Sequence, residues 1–155
     1  MEKTTADLGS FVHMALVVPD AKLAAETWAE LFGLPVPEVV VQVEGDYPIE
    51  DTVHYLRYRG EPWVTNFKIA KLDTPHFMIE LIQPGDFGSF REYYEKHGTG
   101  LHHMAFVLGK KRDAMIEKLT KGMGFGLRVE GLHSKGDWTV VDTEDVLGTN
   151  LNIKR

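Results

Sequence analysis

His13-Met14-Ala15-Leu16-Val17-Val18 returns later in the chain as His103-Met104-Ala105-Phe106-Val107-Leu108. Internal similarity of this kind marks two copies of one supersecondary unit. Each copy reads as a strand running into a helix. After the first, Pro19-Asp20 supplies a turn and an N-cap, and AKLAAETWAELFGL sets Leu23, Thr27/Trp28 and Leu31 at helical spacing before Gly33 ends the helix. After the second, residues 110–121 set Met115 and Leu119 on one face beside Ile116, with Gly122 at the C-cap. Strand patterns follow each helix: 38–43, 52–58, 64–72 and 77–83 in the first half, 126–129, 139–142 and 149–153 in the second. Residues 44–61, acidic and aromatic, read as an insertion or a loop. The reading is α+β: two paired βαβββ modules forming a curved sheet around a central cleft. One domain spans 1–155, with module 1 over 10–83, a bridging segment over 84–99 and module 2 over 100–155. Pro84-Gly85-Asp86 marks a turn in the bridge, and residues 89–97 a short helix.

A chain of 155 residues with 43% hydrophobic side chains can bury a core of this size. Its formal charge of −6 argues against a phosphate-backbone partner, because such affinity comes from clustered Lys and Arg that this sequence does not show. The absence of cysteine removes disulfides and thiolate chemistry, leaving His, carboxylate and amide groups as metal donors. The first ten residues carry no apolar core of a leader, and no apolar run approaches the roughly 20 residues that span a bilayer. The expectation is a cytoplasmic protein without a membrane partner.

Alternation places His13, Ala15 and Val17 on one strand face, and His103, Ala105 and Val107 repeat the arrangement. Glu80 shares a face with Met78 and Ile82, a charge in an otherwise apolar strand that asks for a partner. Two readings stay open: satisfied core imidazoles with a rim carboxylate, or two equivalent imidazoles and one carboxylate converging on a divalent ion such as Zn, Ni, Co, Mn or Fe. Alternation turns His102 away from the face of His103 and gives it a structural or surface role. His54, Tyr55, Arg57 and Arg59 form an alternating stretch, either an ordinary half-exposed strand or a pocket wall for an anionic substrate group. Tyr93 and Tyr94 pack the bridging helix, Trp138 covers the pocket mouth, and Gly109-Lys110-Lys111-Arg112 is a solvated helix start.

The runs FVHMALVVPD, FMIELIQP, GTGLHHMAFVL, GDWTVVDT and LGTNLNI, in this order, resemble the vicinal oxygen chelate (glyoxalase/bleomycin resistance/dioxygenase) superfamily. Within it the likeness is to methylmalonyl-CoA epimerases and lactoylglutathione-lyase-like proteins. The resemblance implies a metal held by His13, Glu80 and His103. The family's fourth ligand is a terminal-strand Glu, and here Asn152 stands in its place. An amide oxygen can coordinate but cannot take up a proton as a carboxylate does. The catalytic base is therefore unassigned, with Glu80 a candidate, and Glu61 is the carboxylate nearest the family's second base. The implied activity is that of a metal-dependent lyase or isomerase acting on a small organic acid or acyl thioester through an enediolate. The alternatives are a metal-free protein that sequesters a small molecule and an extradiol dioxygenase using ferrous iron. By the same analogy the protein pairs as a homodimer.

Overall fold

The two copies of the repeat meet at the middle of the molecule. In the computed structural model, which describes residues 9–42, 55–133 and 136–155, β1 (Ser10–Val17) lies antiparallel to β7 (Gly100–Val107). Met14 faces Met104, His13 faces Ala105 and Ala15 faces His103. That register is a pseudo-twofold rotation about the Met14/Met104 pair. It follows from putting one sequence motif on two strands that run in opposite directions.

On one side of the axis β1 leads into α1 (Ala21–Phe32) and β2 (Val39–Gln42), and the half-sheet is completed by β5 (Phe67–Asp73) and β6 (Met78–Gln83). Its strand order is β2-β5-β6-β1, with β6 parallel to β1. On the other side β7 leads through a one-turn 3₁₀ segment into α3 (Arg112–Glu117), then β8 (Gly126–His133), β9 (Gly136–Asp142) and β10 (Asn150–Lys154). The order there is β7-β10-β9-β8, the mirror of the first half. The bridge carries α2 (Ser89–His97), and a single turn, α4 (Glu144–Leu147), precedes the last strand. Two βαβββ units thus form one curved, mostly antiparallel sheet, as the repeat requires. Among the described residues no helix is long and apolar enough to cross a membrane.

Two features depart from expectation. The first is the inserted segment: β3 (Tyr55–Tyr58) and β4 (Glu61–Pro62) form a hairpin that pairs with β8 on the second half, giving ten strands instead of eight. The strand expected at 52–58 therefore belongs to the opposite module, and its residues 52–54 lie outside the described residues. Burial explains the choice: Leu56 and Trp63 enter the same core cluster as Val129 and Val140 of β8 and β9. Pro62, with no N–H to offer, suits the outermost strand. Trp63 also hydrogen-bonds the Phe87 carbonyl, and its indole fills the space where a Cβ on Gly88 would stand.

The second is the buried face of α1. Asp20 caps Leu23 N at 3.0 Å and Gly33 closes the helix in the left-handed region, both as read from the sequence. The face against the sheet, however, is Ala21, Ala25 and Ala29, while Leu23 and Leu31 are 62% and 70% exposed. Alanines at this spacing let the helix backbone approach Leu72, Ile79 and Leu81 closely, and the leucines are carried outward. In the second half Leu119 is buried, with Met115 and Ile116 against it as expected. Helical turns span 109–122, in line with the expected 110–121, but only Arg112–Glu117 is α-helical: a 3₁₀ turn precedes it, and residues 118–122 widen into a π-turn.

Candidate metal centre

The twofold register decides which side chains share the concave face. His13 and His103 are diagonal neighbours across β1 and β7, each opposite a fully buried alanine that leaves room for an imidazole. Glu80 of β6 lies in register with Ala15, and Asn152 of β10 lies in register with Ala105. The same rotation that relates the two histidines therefore relates Glu80 to Asn152. Four polar groups converge at the axis for a geometric reason, although only two are equal in sequence.

His13 Nε2 is 3.1 Å from His103 Nε2 and 3.5 Å from Glu80 Oε2, and His103 Nε2 is 3.9 Å from the same oxygen. One donor atom from each of the three lies within 4.8 Å of the others, so His13, Glu80 and His103 form a group that could hold a metal ion. Burial, then the charges of Lys154 and Lys71, lowers the pKa of His13 to about 3. Burial, then His102 and His13, lowers that of His103 well below its ordinary value. Both imidazoles are thus neutral and keep a lone pair for a ligand. Asn152 lines the same cavity, is buried, and its Oδ1 has no hydrogen-bond partner among the described residues. An acceptor buried in this way costs about 1–3 kcal/mol unless something fills its lone pairs. Two neutral imidazoles, a carboxylate and an orphaned amide oxygen suit a divalent ion of borderline softness.

The cavity around these groups measures about 90 Å³. Phe67, Phe90 and Trp138 form its apolar wall, and Lys71 and Lys154 bring positive charge to it. Sequence reading reached Trp138 but missed both lysines. Lys154 was legible as the residue two beyond Asn152 on the same strand face, whereas Lys71 enters through its register with Glu80. Of the other candidate substrate contacts, His54 lies outside the described residues. Arg57 is near the Tyr55 ring, and Arg59 is ion-paired with Glu92 and Asp142. Neither arginine is among the described residues lining the cavity. Glu61 is exposed on β4.

His102 requires a correction. Alternation turned it away from His103, yet its side chain is fully buried and its Nδ1 lies 2.7 Å from His103 Nδ1. The cause is a β-bulge: between Ala15 and Leu16 the partner strand steps from His103 to Leu101, leaving His102 as the extra residue. A bulge suspends the period of two, and both imidazoles turn inward. The Nε2 of His102 then lies 2.8 Å from Ser89 Oγ, which accepts from Arg128 Nε at 2.9 Å. Arg128 is completely buried and is neutralised by Glu92 and Glu144 at 2.8 Å and Asp142 at 3.3 Å. Burial pushes the Glu144 carboxyl up, but its hydrogen bond from Asn150 and the Arg128 charge outweigh this and hold it at about 2.

The fold is thus a duplicated βαβββ scaffold that gathers His, His and Glu, a group that could hold a metal ion, on its twofold axis. Residues 12–141 match the Glyoxalase/Bleomycin resistance protein/Dioxygenase superfamily, and the chain belongs to that family. No curated protein matches it by sequence. Among solved structures it is similar to methylmalonyl-CoA epimerase from Mycobacterium tuberculosis, with 17% identity and a TM-score of 0.61 over 99% of this chain and 91% of that one. It is also similar to Streptomyces coelicolor methylmalonyl-CoA epimerase in complex with 2-nitronate-propionyl-CoA, with 18% identity and a TM-score of 0.56 over 94% and 97%. A hypothetical protein from Bacillus halodurans C-125 gives 15% identity and 0.59 over 94% and 92%. At these identities the likeness speaks for the fold.

Proposed function

We propose that the chain binds a divalent ion through His13, Glu80 and His103, with Asn152 Oδ1 as the fourth donor. We further propose that it acts as an epimerase- or glyoxalase-like isomerase or lyase on a small organic acid or acyl thioester. The observation that carries this reading is the unpartnered Asn152 oxygen in a cavity that already holds two neutral imidazoles and a carboxylate. A bound ion would supply Lewis acidity, which stabilises negative charge developing on a substrate carbonyl oxygen. The chain's own residues do the rest. Lys71 and Lys154 attract a carboxylate to the cavity, and the wall of Phe67, Phe90 and Trp138 limits water around it. Glu80 is the one carboxylate among the described lining residues, so it is the group that takes a proton from carbon; Asn152 cannot.

The test begins with zinc, nickel and cobalt titrated into metal-free protein by calorimetry, with a His13→Ala/His103→Ala double variant as control. Wild type binds and the variant does not. Loaded protein is then assayed for deuterium uptake into methylmalonyl-CoA and for conversion of the methylglyoxal–glutathione adduct. Failure of wild type to bind any of the three ions overturns the reading. In that event the aromatic wall and the loss of a carboxylate at Asn152 favour a metal-free sequestering protein, whose melting temperature would not respond to metal. The homodimer belongs to the same proposal. It is supported by the exposed apolar side chains of Phe32, Val36, Val40 and Val41 beside the β2 sheet edge, and sedimentation velocity tests it.

A further inference from the structure

His103 is backed by a buried chain of polar groups. His103 Nδ1 contacts His102 Nδ1 at 2.7 Å, His102 Nε2 contacts Ser89 Oγ at 2.8 Å, and Ser89 Oγ receives the Nε–H of Arg128 at 2.9 Å. His102, Ser89 and Arg128 are each 0% exposed, so water does not compete for these bonds. A neutral imidazole carries one N–H and one lone pair, and a guanidinium has donors only. The far end of the chain therefore has a fixed direction, since Arg128 always donates to Ser89.

The two imidazoles between leave two arrangements. In one, Ser89 donates to His102 Nε2, His102 donates from Nδ1 to His103 Nδ1, and the proton of His103 sits on Nε2, facing the cavity. In the other, His103 donates from Nδ1 to His102 Nδ1, and His102 donates from Nε2 to Ser89 Oγ. Only the second leaves His103 Nε2 with the lone pair a metal needs. The total proton count is equal in the two, and they differ only in tautomer.

We infer that His102 is a positioning residue that sets the tautomer of His103: its Nδ1 accepts the His103 Nδ1–H, with Ser89 and Arg128 holding the His102 ring in place to do so. The inference rests on the metal reading above. It departs from the usual arrangement, in which a carboxylate, carbonyl or water receives the second N–H of a ligating histidine. Among the described residues His13 has no such support, because its hydrogen bonds run through Nε2 alone.

Zinc titration of the full chain carrying His102→Leu, His102→Asn or Ser89→Ala tests it, together with ¹⁵N spectra of the ring nitrogens in zinc-loaded wild type. An Asn side chain places an amide oxygen near the position of Nδ1 and can accept the same proton. His102→Leu is expected to lose about 10- to 100-fold in zinc affinity, the range seen when such outer partners are removed. His102→Asn should recover most of that loss, with Ser89→Ala between the two. The spectra should show His103 protonated at Nδ1 and His102 at Nε2. Unchanged zinc affinity in folded His102→Leu, or a zinc-loaded spectrum with the His102 proton on Nδ1, overturns the inference while leaving the metal reading intact. Absence of zinc binding in wild type overturns both. If His102→Leu does not fold, the wild-type spectra and Ser89→Ala still decide.

Discussion

His13 and His103 are equivalent under the pseudo-twofold axis, yet the ground behind them differs. His13 sits on a half whose helix is laid flat on the sheet by Ala21, Ala25 and Ala29. Both halves carry an extra residue in this ladder, Val12 beside His13 and His102 beside His103, but only the second half fills that place with a buried imidazole backed by an arginine-centred ion cluster. Beneath the helix of that second half lies an apolar cavity of about 230 Å³ lined by Phe106, Leu108, Met115, Leu151 and Ile153. The opposed carboxylate and amide, Glu80 and Asn152, differ in the same sense. Duplication set the shared geometry, and divergence distributed packing quality to one half and polar support to the other.

The largest test of that contrast is removal of the ion cluster. Arg128→Met leaves Glu92, Asp142 and Glu144 without their shared partner, and should destabilise the fold by about 3–5 kcal/mol in urea denaturation. No change in midpoint would show that the cluster does not hold the second half together.

Acid should come next. Burial, then neighbouring positive charge, lowers His13 and His102 from 6.5 to about 3. Between those values the unfolded chain takes protons that the folded chain refuses. Stability of the metal-free protein therefore falls as pH drops from about 6.5, by up to about 1.4 kcal/mol per pH unit for each group. The contribution of Glu144, whose carboxyl is depressed from 4.5 to about 2, is full above 4.5 and is lost only below it. Melting temperatures measured from pH 7 to 4 check the order. A flat profile down to pH 4.5 would contradict the burial of the two imidazoles.

Restoring the twofold symmetry of the site should then raise metal affinity. Asn152→Glu places a carboxylate opposite Glu80, and zinc should bind about tenfold tighter or more, read by competition with a chelating dye. Weaker binding would mean that Asn152 does not face the ion.

The smallest effects compare the helices. Ala25→Leu overpacks the close contact of α1 and should cost about 1–3 kcal/mol, whereas Leu151→Phe grows into the second-half cavity and should change stability by less than about 1 kcal/mol. Leu31→Ala, at a position 70% exposed, should stay within about 0.5 kcal/mol. Equal costs for Ala25→Leu and Leu151→Phe would erase the difference in packing.

Much of this was legible in order of residues alone. The repeated His-x-Ala motif determined two βαβββ units, because a strand pattern followed by a capped helix is local chemistry repeated along the chain. Alternation within a strand determined that His13 and Ala15 share a face, and the family resemblance showed that Asn152 stands where a carboxylate is expected. Tertiary structure alone decided what depends on the register between strands. It placed Lys71 beside Glu80, carried the Tyr55–Pro62 hairpin to the far half, and put Asn152 at the rotation mate of Glu80. It also decided His102, since one extra residue in a ladder breaks the period of two without any mark in the sequence of that strand. A bulge is a property of two strands together, and neither one contains it.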